Sequence, residues 1–383
     1  MGTEITALPE IQTRAAADLG IEIEFDCLDF LNAQRRAAVD PASYDVYDQC
    51  FHNLDIVWFW HAIQPIDVTR IGVWDEVSSL TKAGRITPHG SIGEGDAPVT
   101  RLYVQPDRSL GSRPSQWISM LPTVHNVDSF VYRRDLIGDE IPTSWAALLN
   151  PKWRGRVALV DEPAIGVFDA LLAVQASRAL SFKAIGQLST AEIDALLALL
   201  SRKRDAGHFY GWWKTAAEAA DWMAEGHTWI QSAWSPVTTH LRRRGIPVEE
   251  AVPREGYRAW HGGLCLSAML SDRMRDVAYE YLNWWLGGYA GAIVARQGYY
   301  MSVLDPVRAH LRPAEWRYWY EGAPATESLP APDGTTIVAQ GAVRSGGSYW
   351  QRAGSIAVWN TTMDEHNYLA RRWARLTGRR EAD

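Results

Sequence analysis

The stretch TSWAALLNPKWRGRVALVDEPAIGVFDALLAV (143–174) reads as helix, turn, strand, loop and helix. Working outward, the alternation continues on both sides. WISMLPTVHNVDSFVYRRDLI (117–137) is strongly β-like. Ser189 and Glu192 make a capping box ahead of Ile193, Leu196, Leu197 and Leu200 at helical spacing. HTWIQSAW (227–234) is a strand, PVTTHLRRRGIPVEEAVP (236–253) is helix, glycine and strand, and HGGLCLSAML (261–270) is a further strand. Ala278, Tyr281, Leu282 and Trp285 mark one face of an amphipathic helix. Towards the N-terminus, Pro9 and Gly20 bracket a helix, and Ile21, Ile23, Phe25 and Cys27 alternate as a half-buried strand would. YDVYDQC (44–50) is a second strand, 53–67 a helix and its exit, 85–118 an irregular stretch, and 355–376 a closing helix whose arginines form a solvated face. Strands alternating with helices predict an α/β fold, its sheets mostly parallel and covered on both faces. The chain's 383 residues are too many for one such sheet, so two α/β lobes are expected.

Composition narrows the function. Hydrophobic residues make up 47% and charged residues 22%, which excludes wholesale disorder. No apolar run reaches the roughly 18–20 residues of a membrane span. A net charge of −7 argues against a polyanion-binding surface, so no nucleic-acid partner is expected. Cys27, Cys50 and Cys265 are scattered, with no zinc-ligand spacing. Enzyme signatures are missing: there is no GxGxxG after a strand, no GxxxxGK[ST], no GxSxG and no HExxH. In α/β sheets ligands bind beyond the carboxyl ends of strands. That points to the loops Asp48 to His52, Asp161 to Gly166, Trp234 to Pro236 and Arg258 to Gly263, rich in aromatics such as Phe51, Trp234 and Trp260. Such rings stack on a ligand or simply pack a core or hinge.

Three stretches carry a resemblance. TSWAALLNPKWRGRVALVDEPAIGVF (143–168), MAEGHTWIQSAWSPVTTHLRRRGIPVEEAVPREG (223–256) and AYEYLNWWLGGYAGAIVARQGYYMSV (278–303) resemble, in order, segments of the extracellular solute-binding proteins of ABC transporters, of the spermidine/putrescine-binding kind. YDVYDQCFHNLDIV (44–57) matches more weakly. The resemblance implies a two-lobed, type II periplasmic-binding-protein fold with the ligand cleft between the lobes. It places the first part of lobe 1 at 1–122, lobe 2 at 123–260, a return to lobe 1 at 261–305, and a helical segment across both lobes at 306–383. It implies a periplasmic monomer that binds a small solute, docks on permease subunits and needs no cofactor or metal. It also implies a leader and most of a first strand ahead of Gly2.

By the same likeness, Trp234, Trp260 and Gln351 fall on ligand-contacting positions, and Cys50 and His52 replace contacts of other chemistry. Polyamine carboxylate positions fall near Glu162 and on Gly166 and Gly262, where the glycines leave room. The remaining polar groups near the cleft, including His52, Ser235, Arg258, His261 and Arg352, are donors more than acceptors. A carboxylate, a phosphonate or a zwitterion is therefore expected, with Arg258 or Arg352 as the anion anchor unless either is a lobe-bridging ion pair. Asp48 and Asp161 would take the amine of a zwitterion, or else cap helices. Two alternatives stand beside this reading: polyamine transport, and an enzyme using Cys50 in the cleft, as thiamine-degrading transferases of similar fold use a cysteine.

Overall fold

The computed structural model describes residues 1–3 and 5–378. The strands that position the site are β1 (Val46–Cys50), β2 (Leu121–Asp128), β3 (Phe130–Arg133), β4 (Val157–Val160), β5 (Phe209–Trp213), β6 (Ile230–Ser232), β7 (Val248–Glu250), β8 (Tyr257–Ser267), β9 (Tyr300–Met301) and β10 (Ile356–Trp359). They form two sheets. The first runs β1-β8-β2-β9, with β10 and the short strand Ile63–Gln64 also on β8; the second runs β5-β4-β6-β3-β7. Each sheet has its own apolar core. One draws on residues from Ile11 to Val127 and from Tyr257 to Trp359; the others lie between Phe130 and Ala251 and take in Trp373 from the C-terminal helix.

The chain passes between the sheets three times: at Ser129 between β2 and β3, along 251–256 between β7 and β8, and after β10, where Val358 and Met363 already join the second core. These crossings differ from the expected boundaries. β2 lies whole in the first sheet, and so do residues 257–260, because the two strands pair from Arg258 opposite Asp128 to Leu264 opposite Leu121.

Local signals work as read in several helices. Pro9 opens α1 (Pro9–Leu19), and Gly20 closes it at φ 66°, the left-handed cap that glycine takes without a Cβ penalty. The Ser189/Glu192 capping box opens α3 (Thr190–Asp205). β4 is an all-buried Val-Ala-Leu-Val run followed by α2 (Pro163–Ala176), as in a doubly covered strand.

Three expectations fail. The sheets are mixed, not mostly parallel: β5-β4-β6 and the β8-β10 pair are parallel, whereas β8 returns between β1 and β2 and runs antiparallel to both. Among the described residues, 21–27 make a single bridge, Cys27 to Gly2, and no strand pairs with the Ile21-Ile23-Phe25 alternation; residues 21–26 instead line a cavity of about 310 Å³ with Met1, Asp48 and Tyr281. The closing segment begins as β10, whose Ile356, Val358 and Trp359 suit a pleated sheet, and turns helical only at α5 (His366–Thr377).

Gly166 holds α2 against the end of β4. A Cβ there would lie 2.2 Å from the Val160 carbonyl oxygen and 2.9 Å from the Trp373 ring. The glycine therefore serves close packing and opens no ligand space. Gly166→Ala is expected to destabilise the fold by about 1–3 kcal/mol, as overpacking does; a lowered urea midpoint at unchanged slope is the readout.

Candidate functional site

The sheet register sorts the proposed residues by face. Side chains alternate along a strand, so Cys50, opposite Gly262, shares a face with Trp260, Arg258, Asn126 and Asp128, while His261 and His125 point to the other side. On the shared face, the Trp260 indole N–H donates to Asp128 Oδ2 at 2.9 Å, and the Trp260 ring meets Tyr299 edge-on at 5.8 Å. Asn126 Nδ2 donates to Asp128 Oδ1 at 2.9 Å and to Ser235 Oγ at 2.8 Å. Ser235 opens α4 (Ser235–Arg243) at the end of β6 in the second sheet, so this contact joins the two lobes. Trp234, just before it, meets Trp213 edge-on at 4.6 Å, and the Asp161 N–H donates to the Trp213 carbonyl at 2.7 Å. Cys50, Asp161, Trp234 and Ser235 thus lie at or just beyond strand ends between the sheets, whereas Trp260, expected in a loop over Arg258 to Gly263, lies within β8. Asp161 Oδ1, Asn126 Oδ1, His52 Nε2 and Trp213 Nε1 are buried there without hydrogen-bond partners among the described residues.

Both proposed anion anchors are engaged elsewhere. Arg258 is 1% exposed; its Nε donates to Asp169 Oδ1 at 2.7 Å, its Nη1 donates to Asn360 Oδ1 at 3.1 Å, and Asp128 Oδ2 is 3.8 Å away. Arg352 Nη2 donates to the Val127 carbonyl at 2.8 Å and Glu250 Oε2 at 3.2 Å, and its Nη1 to the Ser345 carbonyl at 2.7 Å, leaving only Nε unpartnered. Asp169 and Glu250 belong to the second lobe, so both arginines are lobe-bridging ion pairs. Arg344 is also buried, held by the Trp319 and Gly298 carbonyls at 2.7 Å each.

Four other proposed residues are engaged elsewhere or stand on the surface. Asp48 lies under the N-terminal segment, bonded to Thr6 Oγ1, and burial lifts its carboxyl to about 6. Phe51 packs edge-on against His261 at 5.4 Å. His261 stacks on His125 at 5.0 Å and shares a hydrogen bond of 2.9 Å with Thr81, on the sheet face away from Trp260. Gln351 is exposed and completes a capping box with Ser348 on the short helix Tyr349–Ala353. Gly262 leaves no free room either: a Cβ there would meet Val124 at 3.2 Å. His52 is buried beside Phe30 in a stacked pair at 5.7 Å; burial first, then Arg101, His366 and Arg258, bring its pKa down to about 3. Burial, with Asp48 and Glu162 nearby, pushes the Cys50 thiol well above its ordinary range. That disfavours the thiolate a nucleophile needs.

Sequence reasoning missed Asn126, Asp128, Asp169 and Glu250. The first two had a signal: they stand two apart in one strand and so share a face, opposite the face of Thr123 and His125. Asp169, in the middle of an apolar helix, is a buried carboxylate that demands a cation.

Two tests follow from this arrangement. Arg258→Met is expected to cost about 3–5 kcal/mol, the penalty for leaving a buried partner charge uncompensated; a residue that only anchored solute would leave Tm unmoved. The second concerns Asp128, which faces Arg258, Trp260, Glu250 and Arg352 and whose carboxyl is raised by burial to about 6, against 3.8. As pH falls through 6 the folded chain takes up this proton first, so wild type gains stability that Asp128→Asn cannot gain. The Tm difference, variant minus wild type, is therefore expected to become less positive, or more negative, from pH 7 to pH 4.5.

Residues 75–316, more than half of the chain, match the model of the bacterial extracellular solute-binding protein family. The spermidine/putrescine ABC transporter substrate-binding protein PotD of Streptococcus pneumoniae is 12% identical, with 99% of this chain and 98% of that one covered and a TM-score of 0.63. The Tp0655 (TpPotD) lipoprotein of Treponema pallidum is 9% identical over 99% and 98%, with a TM-score of 0.69. The binding protein AgtB of A. tumefaciens R10, solved with agropinic acid, is 13% identical over 98% and 97%, with a TM-score of 0.57. At these identities the likeness speaks for the two-lobed α/β binding-protein fold. Among the described residues no helix is long and apolar enough to cross a membrane. The chain belongs to the bacterial extracellular solute-binding protein family.

Proposed function

We propose that this protein is the solute-capturing component of an ABC importer. It works in the periplasm as a monomer, closes its lobes on a small polar solute, and hands that solute to a membrane permease. Family membership supports capture, and PotD of Streptococcus pneumoniae, similar in fold, is named as an ABC transporter component. Among carboxylate, phosphonate and zwitterion, the zwitterion has the best support, with its amine as the recognised group. One observation carries this: Arg258 and Arg352 are bound up in ion pairs, whereas the buried Asp161 Oδ1 and Asn126 Oδ1 are acceptors without donors among the described residues. A buried acceptor favours a ligand that brings an N–H. The same observation keeps a polyamine as the second reading. The raised thiol pKa of Cys50 weighs against the enzyme alternative.

A thermal-shift screen against amino acids, ω-amino acids, betaines, polyamines, dicarboxylates and phosphonates tests the reading. A ligand that binds only the folded state adds about 2.7 kcal/mol of stability at a hundredfold excess over its Kd. Amine-bearing zwitterions are expected to raise Tm, and dicarboxylates and phosphonates to leave it unchanged. The reverse pattern would overturn the amine reading, and Tm shifts with polyamines alone would replace the zwitterion with the second reading.

A further inference from the structure

The inference here rests on the amine reading and goes further, to the residue that reads the amine. Asn126 and Trp260 are direct cross-strand partners, so their side chains stand side by side on the face of the first sheet that meets the second lobe. Asn126 is 2% exposed. Its amide has two chemically different ends, and the surroundings decide which way each points. An ionised carboxylate can only accept, so the nitrogen end must face Asp128 Oδ1, where it lies at 2.9 Å. Asp128 cannot swing away, because its other oxygen takes the Trp260 N–H at 2.9 Å and Arg258 stands 3.8 Å off. The nitrogen end also reaches Ser235 Oγ in the opposite lobe at 2.8 Å. The oxygen end is thereby turned the other way, and Oδ1 has no hydrogen-bond partner among the described residues.

A buried amide oxygen without a donor is destabilising, and that cost is removed when a donor arrives. Each Asp128 oxygen already accepts a hydrogen bond within the first sheet, whereas Asn126 Oδ1 accepts none among the described residues. We propose that Asn126 is a specificity-determining residue: its Oδ1 accepts an N–H from the ammonium group of the solute, and its Nδ2 ties that recognition to lobe closure through Ser235. Asp161, at the end of β4 on the opposite lobe, supplies the charge. A site built around an N–H rejects analogues that lack one far more strongly than a merely apolar pocket rejects a change of size.

Titration calorimetry with γ-aminobutyrate, β-alanine and putrescine, each against its fully N-methylated counterpart, with succinate as the nitrogen-free control, tests the proposal. In wild type, at least one primary amine is expected to bind, and its permethylated form to bind at least tenfold more weakly. In Asn126→Leu the gap is expected to close to within about threefold. Ser235→Ala keeps the discrimination but weakens every amine alike, because it touches closure and not reading. Should Asn126→Leu fail to fold, Asn126→Ser, which shortens the side chain out of reach, takes its place. Three results would overturn the role of Asn126: permethylated probes binding as well as their parents, no primary amine binding at all, or full discrimination surviving in the Asn126 variant. Binding of succinate without any amine would leave solute capture intact while removing both the amine reading and this role. An amine that binds with no dependence on Asn126 would remove this role alone.

Discussion

The ion pair between Arg258 and Asp169 sets the terms for the rest of the molecule. It joins β8 in the first sheet to α2 in the second, with both side chains almost wholly shielded. Taking two charges out of water costs several kcal/mol each, and their attraction offsets this only when the geometry is tight and the remaining polar atoms are bonded. Here Arg258 Nη1 also donates to Asn360 Oδ1, and Asp128, itself held by the Trp260 N–H, lies 3.8 Å from the guanidinium. The pair therefore requires the two lobes to stay in register where the chain crosses between them, and it removes Arg258 from the set of groups that can meet a solute. Arg352 and Glu250 repeat the arrangement a few residues away.

The fold was legible where the signal was local. Pro9 and Gly20, the Ser189/Glu192 box and the apolar β4 run each act through neighbours in sequence, and each appears as read. What was not legible depends on distant partners. Ile21, Ile23 and Phe25 alternate correctly for a strand but have no edge to pair with. β10 was read into the closing helix, since its pairing with Tyr257 and Arg258 lies about a hundred residues away. Strand direction was misjudged because alternation of strands and helices does not say on which side of β1 the chain returns.

The site was half legible. Residues just beyond strand ends, such as Trp234 and Asp161, could be found from the rule that points there, whereas Trp260 lies within β8. Charge state and pairing could not. The sequence left each arginine open between an anion anchor and a lobe-bridging ion pair, because its carboxylate partner lies far along the chain, 89 residues away for Arg258 and 102 for Arg352. The glycines misled for a related reason. A missing side chain reads as empty space, yet at Gly166 that space is filled by the Val160 carbonyl and the Trp373 ring.

The three crossings between the sheets also limit how the lobes can move. Two tethers side by side let one body both bend and twist against the other. A third, after Trp359, leaves the first sheet beside the second, its root fixed to β8 by the bond from the Asn360 N–H to the Ala259 carbonyl. A twist of one lobe on the other would load that bond more than a bend would. Any movement that keeps all three crossings intact is accordingly closer to a swing about one axis, like a door on several pins. A groove that opens this way returns its two walls to the same alignment each time it shuts.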